Sequence, residues 1–137
     1  MKLFDIFGKK DSNADINNGV PYSIKTELIP YKMHARKKSS SVLRVSVSNV
    51  TKDVLMTSLV LELPKGLSFD EMSMGRQREI RIGEMQPNEN KEVSFEIFTG
   101  IGSEAGDYTA TLTSIAHYRD YGHVLNAVRK RVELSVV

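Results

Sequence analysis

The chain has 137 residues, a formal net charge of +2 and no cysteine. Disulfides, cysteine nucleophiles and thiolate metal sites are therefore excluded. The near-balanced charge also excludes a chain that holds nucleic acid by bulk electrostatics, so any such binding must come from local clusters. At 40% hydrophobic and 26% charged, the composition suits one globular domain with its own core and a short tail. The lack of cysteine, of an 18-residue apolar run and of a secretory h-region after Met1 makes a cytoplasmic protein the expectation.

Residues 1–10 (MKLFDIFGKK) are short, apolar and basic. On a helix at about 100° per residue, Leu3, Phe4, Ile6 and Phe7 share one side, with Lys2, Asp5 and Lys9 opposite. An amphipathic helix is expected, of a kind that docks to a protein partner, to a second copy or to a membrane surface, or that covers its own domain. In a membrane, Leu3, Phe4, Ile6 and Phe7 would carry the apolar contact, with Lys2, Lys9 and Lys10 near anionic headgroups, giving a peripheral location. Residues 11–19 (DSNADINNG) are polar and turn-forming and read as a linker.

From residue 20 onward the apolar period is two, which predicts strands. The first spans about Tyr22–Tyr31, bracketed by Pro21 and Pro30. The basic run Lys32, His34, Arg36, Lys37 and Lys38 and the serines Ser39, Ser40 and Ser41 follow, the serines reading as a loop. A second strand covers Ser41–Asn49, with Leu43, Val45 and Val47 inward and Arg44, Ser46 and Ser48 outward. The third, Leu55–Leu63, points Leu59, Leu61 and Leu63 inward and stops at Pro64-Lys65-Gly66. The fourth is Arg78–Gly83 with Ile80 and Ile82 inward; Gln86-Pro87-Asn88 turns into the fifth, Lys91–Phe98, with Val93, Phe95 and Ile97 inward. The sixth is Gly106–Arg119. Tyr121-Gly122 marks a hairpin, and the seventh strand is Val124–Val137 with Val128, Val132, Leu134 and Val136 inward. Seven short strands over residues 20–137 predict an all-β, seven-stranded, antiparallel immunoglobulin-like sandwich.

Three motifs keep their order along this stretch: Leu59–Gly66 (LVLELPKG), Ile82–Glu89 (IGEMQPNE) and Ala105–Thr109 (AGDYT). In this order they resemble the prokaryotic immunoglobulin-like modules of CARDB type and the sandwich domain appended to alpha-galactosidases. The resemblance implies a structural or interaction module and supplies no catalytic residues. Asn88 stands where that pattern prefers glycine; asparagine tolerates the left-handed region, so the turn is expected to survive. Tyr108 is expected to make a tyrosine-corner bond to backbone a few residues upstream.

Three features compete for function. The basic residues Arg36, Lys37 and Lys38 are candidate anion contacts and, with Arg76, Arg78, Arg81, Arg129 and Arg131, could line a phosphate groove; nucleic-acid binding is thus an alternative reading. Lys130 cannot share a face with Arg129 and Arg131, because consecutive strand residues alternate. His117, Asp120 and His123 flank the hairpin and form a weak metal set, without a ligand-spacing motif. Enzyme motifs are missing: there is no Gly-x-Ser-x-Gly elbow and no phosphate loop, and Gly100-Ile101-Gly102 reads as a plain loop. The expectation is a non-catalytic interaction module with no cofactor and no small-molecule substrate, which binds a protein partner or itself.

Overall fold

The computed structural model describes residues 20–70, 75–118 and 120–137. The expected amphipathic segment 1–10 and the linker 11–19 lie outside them. Among the described residues the chain is all strand and loop. The strands are β1 (Tyr22–Ile29), β2 (Lys32–Met33), β3 (Ser39–Asn49), β4 (Leu55–Glu62), β5 (Gln77–Met85), β6 (Asn90–Thr99), β7 (Gly106–His117) and β8 (Val124–Val136). They form a three-stranded sheet in the order β1-β3-β6 and a five-stranded sheet in the order β2-β8-β7-β4-β5.

Three expectations are corrected here. The strand count is eight, not seven, and the sandwich is not wholly antiparallel, since β2 runs parallel to β8 through Lys32↔Ser135 and Met33↔Val136. A two-residue strand is too short to show alternation, and its basic surroundings mask it. Yet Met33 is fully buried, the one apolar side chain in that run to enter the core. The serine run is strand rather than loop: Ser39, Ser40 and Ser41 pair with Thr99, Phe98 and Ile97. The Ser39 and Thr99 hydroxyls lie 2.6 Å apart, and Ser41 donates to the Pro30 carbonyl at 2.8 Å. Hydroxyls that find local partners let serine continue a ladder.

The inward stripes are where the period of two puts them. Leu43, Val45, Val47, Leu59, Leu61, Phe95, Ile97, Leu112, Leu134 and Val136 are buried between the sheets. Fully burying one such side chain is worth about 1.5–3 kcal/mol. Ile80, Ile82 and Val93 pack against this core while only partly buried, because they line the flank where β5 and β6 are both sheet edges. The β4–β5 register shifts between Thr57 and Ser58, opposite Gly83 at φ +93°. On the other flank β1 faces β8. There Lys130 sits at the inward parity of β8, and its Nζ donates to the Ile24 carbonyl at 3.1 Å. A cation on an edge carbonyl blocks strand addition at that edge.

The loops fall at two ends. One gathers residues 50–54, 86–89, 118 and 120–123 around Asn49; the other gathers 30–38, 63–70, 75–76 and 100–105 around Ser103. Chain enters at the Asn49 end, where the Val50 N–H donates to the Pro21 carbonyl at 3.0 Å.

The motifs at the Ser103 end fit together. Gly66 adopts φ +102°, and a Cβ there would stand 3.0 Å from Cε2 of Tyr108. Glycine is required on both counts. The Tyr108 hydroxyl donates to the Glu104 carbonyl at 2.6 Å, the expected tyrosine corner. Asn88 adopts φ +66°, as the turn demands.

Candidate interaction surfaces

The β7–β8 hairpin brings His117 and His123 to one end, but not as a ligand set. His117 is buried on the outer face of the five-stranded sheet. Its Nε2 lies 2.7 Å from Ser58 Oγ, and its ring meets the Tyr121 ring edge-on at 5.0 Å between centroids. The Arg81 guanidinium stacks on the same tyrosine at 4.7 Å. His123 is exposed, with Nδ1 2.8 Å from Asp120 Oδ1. That bond, and a second from the Gly122 N–H, hold the Asp120 carboxyl below its usual range. With one histidine turned into the sheet and the other on the rim, the metal candidate His117–Asp120–His123 is not assembled. No group of three or more His, Asp or Glu among the described residues could hold a metal ion.

Ser58 and His117 have the separation of a nucleophile and its base, but not the rest of the machinery. Ser58 is fully buried, and among the described residues His117 Nδ1 has no hydrogen-bond partner, so none of their carboxylates orients the ring. The pair packs the outer face of the sheet. Tyr22 and Thr57 form the matching pair inside: their hydroxyls are 2.6 Å apart, and burial pushes the Tyr22 phenol up to about 12 despite that bond.

The basic clusters do not converge. Arg129 and Arg131 share the outer face of β8, opposite Thr113 and Thr111 of β7. Lys130 points the other way, as alternation requires. Arg81 lies two strands beyond β7, ion-paired to Glu79 at 3.6 Å, and Arg78 stacks on Phe69 at 5.0 Å. Arg36, Lys37 and Lys38 occupy the β2–β3 turn at the Ser103 end. A single phosphate groove through all of them is not formed. The three-stranded sheet carries a shallow depression of about 240 Å³ lined by Lys25, Thr26, Glu27, Arg44, Ser46 and Glu92, with Arg44 and Glu27 paired at 3.8 Å. Charges already matched across the strands leave that surface little to offer a ligand.

The Ser103 end is different. Ser103 is buried; its hydroxyl donates to the Gly66 carbonyl at 2.6 Å and accepts the Gly100 N–H at 2.9 Å. Its carbonyl accepts the Arg36 N–H at 2.7 Å, and Thr99 Oγ1 donates to the Lys37 carbonyl at 3.0 Å. These bonds tie three loops into one platform and hold Arg36 at φ +59°, a conformation that a non-glycine residue keeps only when its surroundings enforce it. Lys32, Arg36, Lys37, Lys38 and Lys65 are exposed on it, and none has a carboxylate within ion-pair distance among the described residues. Tyr31 and Ile101 project at the same end, 71% and 80% exposed. Sequence reasoning missed both. The available signal was an aliphatic residue between two glycines, which marks a loop tip with nothing to pack against. The expected contacts Leu3, Phe4, Ile6, Phe7, Lys9 and Lys10 lie outside the described residues.

No family model matches the sequence, and no curated protein matches it. Solved structures match the fold. The chain superimposes on Escherichia coli alpha-2-macroglobulin in its native conformation with a TM-score of 0.59 at 14% identity, over 85% of this chain and 7% of that one. A fragment of the same E. coli protein that reaches its C-terminus gives 0.59 at 15% identity, over 84% of this chain and 16% of that one. The CARDB domain of a Pyrococcus furiosus protein, solved with two metal ions, gives 0.51 at 12% identity, over 85% of this chain and 87% of that domain. This chain thus spans a small part of alpha-2-macroglobulin and nearly all of a CARDB domain. Its fold is that of a prokaryotic immunoglobulin-like sandwich module.

Proposed function

We propose that the protein is a non-catalytic interaction module: a rigid sandwich that displays loops and carries segment 1–10 as a docking element for a protein partner or a second copy. One observation carries the reading. The polar side chains suited to chemistry, Ser58, His117, Tyr22 and Thr57, are buried and engaged in packing, whereas the two most exposed large apolar side chains among the described residues, Tyr31 and Ile101, lie on loops beside exposed cations. The likeness to a CARDB domain over 87% of that domain's length supports a module rather than an enzyme core. The chain that leads to segment 1–10 leaves from a fixed point, since Pro21 is bonded to Val50 and Tyr22 is buried.

Photo-crosslinking from position 4 or 7 in the native host tests this. A discrete adduct with one protein, or with the chain itself, is expected, and it should vanish in the Phe4→Asp/Phe7→Asp variant. Adduct formation that survives that variant, or none at all, would overturn the docking role.

A further inference from the structure

We propose that the Ser103 end is a docking surface for anionic phospholipid membranes, which works independently of segment 1–10. Five exposed cations, Lys32, Arg36, Lys37, Lys38 and Lys65, stand there without ion-pair partners among the described residues. Two apolar tips rise among them, Tyr31 and Ile101. Lysine and arginine at headgroup level, with an aliphatic tip and an interfacial tyrosine below, is the combination that holds a protein on an anionic bilayer.

Among the described residues the exposed cations at this end outnumber the exposed carboxylates. Glu104 belongs to the 100–105 loop itself, next to the Ser103 whose carbonyl bonds the Arg36 N–H, and Asp107 lies at the start of β7; both are exposed. Asp70 is half-buried and accepts the Gly75 N–H at 3.0 Å. The loops that bear the cations and Ile101 are tied together through Ser103, Thr99 and Gly66, so little ordering is left to do on binding.

The chemistry favours lipid over nucleic acid. A single strand would need several aromatic faces for stacking. Among the described residues Tyr31 is the only aromatic side chain at this end that is largely exposed, and the Lys32 ammonium already sits 5.4 Å from the centre of its ring. An isoleucine at the tip of a glycine-flanked loop contributes nothing to base stacking, but it suits the acyl boundary.

The Ser103 end lies opposite the end at which the chain enters, so the two contacts separate experimentally. The full chain is floated with phosphatidylcholine vesicles and with vesicles that also contain phosphatidylserine, at low and raised salt. Flotation is expected only with phosphatidylserine, and it should weaken as salt rises. Arg36→Asn/Lys37→Gln/Lys38→Gln, in which asparagine keeps the left-handed turn, should lose on the order of 100-fold in partitioning, about fivefold per cation. Ile101→Ser should lose roughly tenfold. Arg129→Gln/Arg131→Gln removes charge from the sheet face and should float as the parent does, as should Phe4→Asp/Phe7→Asp. If the triple variant melts early, Lys37→Gln/Lys38→Gln leaves the Arg36 turn intact and should still lose about 25-fold.

Four results would overturn the proposal. They are no flotation of the full chain, an equal loss on removing Arg129 and Arg131, a loss confined to the Phe4/Phe7 variant, and tight binding to DNA or an acidic peptide without vesicle binding. The third would leave segment 1–10 as the anchor. Flotation that survives in the Phe4/Phe7 variant while its crosslinks persist would sink the docking role of segment 1–10 and leave the lipid surface standing.

Discussion

The two ends of the sandwich are each organised by one buried polar side chain, and they put the surrounding charge to different use. At the Asn49 end, the Asn49 amide donates to the carbonyls of Asp53 at 2.8 Å and Met85 at 3.0 Å, and its oxygen accepts from the N–H and hydroxyl of Thr51 at 2.9 and 2.7 Å. Four bonds from one residue fasten the β3–β4 loop to the end of β5. Nearby carboxylates are also engaged. Glu89 is held below its usual range, first by the Gln86 N–H and then by Lys91 at 3.5 Å, and Asp120 is held down by His123 and Gly122. At the other end Ser103 makes two side-chain bonds, and the cations around it have no ion-pair partner among the described residues. Asn49, Glu89 and Asp120 at the first end are absorbed by the fold, although Lys52 and Asp53 stay exposed in the β3–β4 loop. At the second the cations are left over, which is where a ligand of opposite charge has something to gain.

If this contrast is right, breaking the Asn49 hub should cost most. Asn49→Ala strands the buried Met85 carbonyl and the half-buried Thr51 N–H, and buried groups left unpaired cost about 1–3 kcal/mol each. A loss of roughly 3 kcal/mol is expected, visible as a drop in thermal midpoint of about 10–15 °C. An effect no larger than that of Ser103→Ala would mean that the two hubs are equivalent. Gly66→Ala should come next, at about 2 kcal/mol, because alanine is strained at φ +102° and its Cβ meets the Tyr108 ring at 3.0 Å. A double-mutant cycle with Tyr108→Leu separates the two causes: the clash should disappear and the backbone strain remain.

Alkaline pH sharpens the comparison at the Asn49 end. Tyr22, which pairs with Asn49 across β1 and β3, has its phenol raised from 10 to about 12 by burial. The unfolded chain therefore releases this proton before the folded chain does. Stability from this group is fully present below pH 10 and is lost as pH rises toward 12, by about 3 kcal/mol in all. Denaturant titrations across that window should show the slope, and Tyr22→Phe should flatten it. Ser103→Ala is smaller, about 1 kcal/mol, since its two partners are loop groups that water can reach after modest movement.

Much of the framework was legible in the sequence for a simple reason. Alternation over eight to thirteen residues exposes its own parity, so Leu43/Val45/Val47, Leu59/Leu61 and Val132/Leu134/Val136 were placed inside without reference to topology, and Lys130 was separated from Arg129 and Arg131. Turn chemistry was equally local: Gly66, Asn88 and Tyr108 announce their backbone demands within a few residues. What escaped is non-local. Met33 joins the core through a two-residue parallel pairing with the far end of the chain. Asn49 and Ser103 are ordinary polar residues in sequence, and their importance lies in partners from other loops. The hairpin at 118–123 was foreseen, but the rotation that buries His117 against Ser58 depends on Tyr121 folding back over the sheet, which spacing cannot show.

The smallest expected stability effect is the most informative about function. Lys37→Gln/Lys38→Gln removes two charges from the Ser103 platform, yet neither side chain is in an ion pair among the described residues, so stability should change by less than about 0.5 kcal/mol. Lysines cleared from a crowded basic turn could even relieve mutual repulsion and raise the thermal midpoint slightly. Either small change fits cations that the fold does not use. A loss approaching that of Asn49→Ala would mean that the lysines are held by contacts within the domain after all, and the distinction between an end committed to the fold and an end open to a ligand would fail. Melting curves of this variant at low and raised salt decide the matter, because repulsion fades with ionic strength, whereas packing and neutral hydrogen bonds do not.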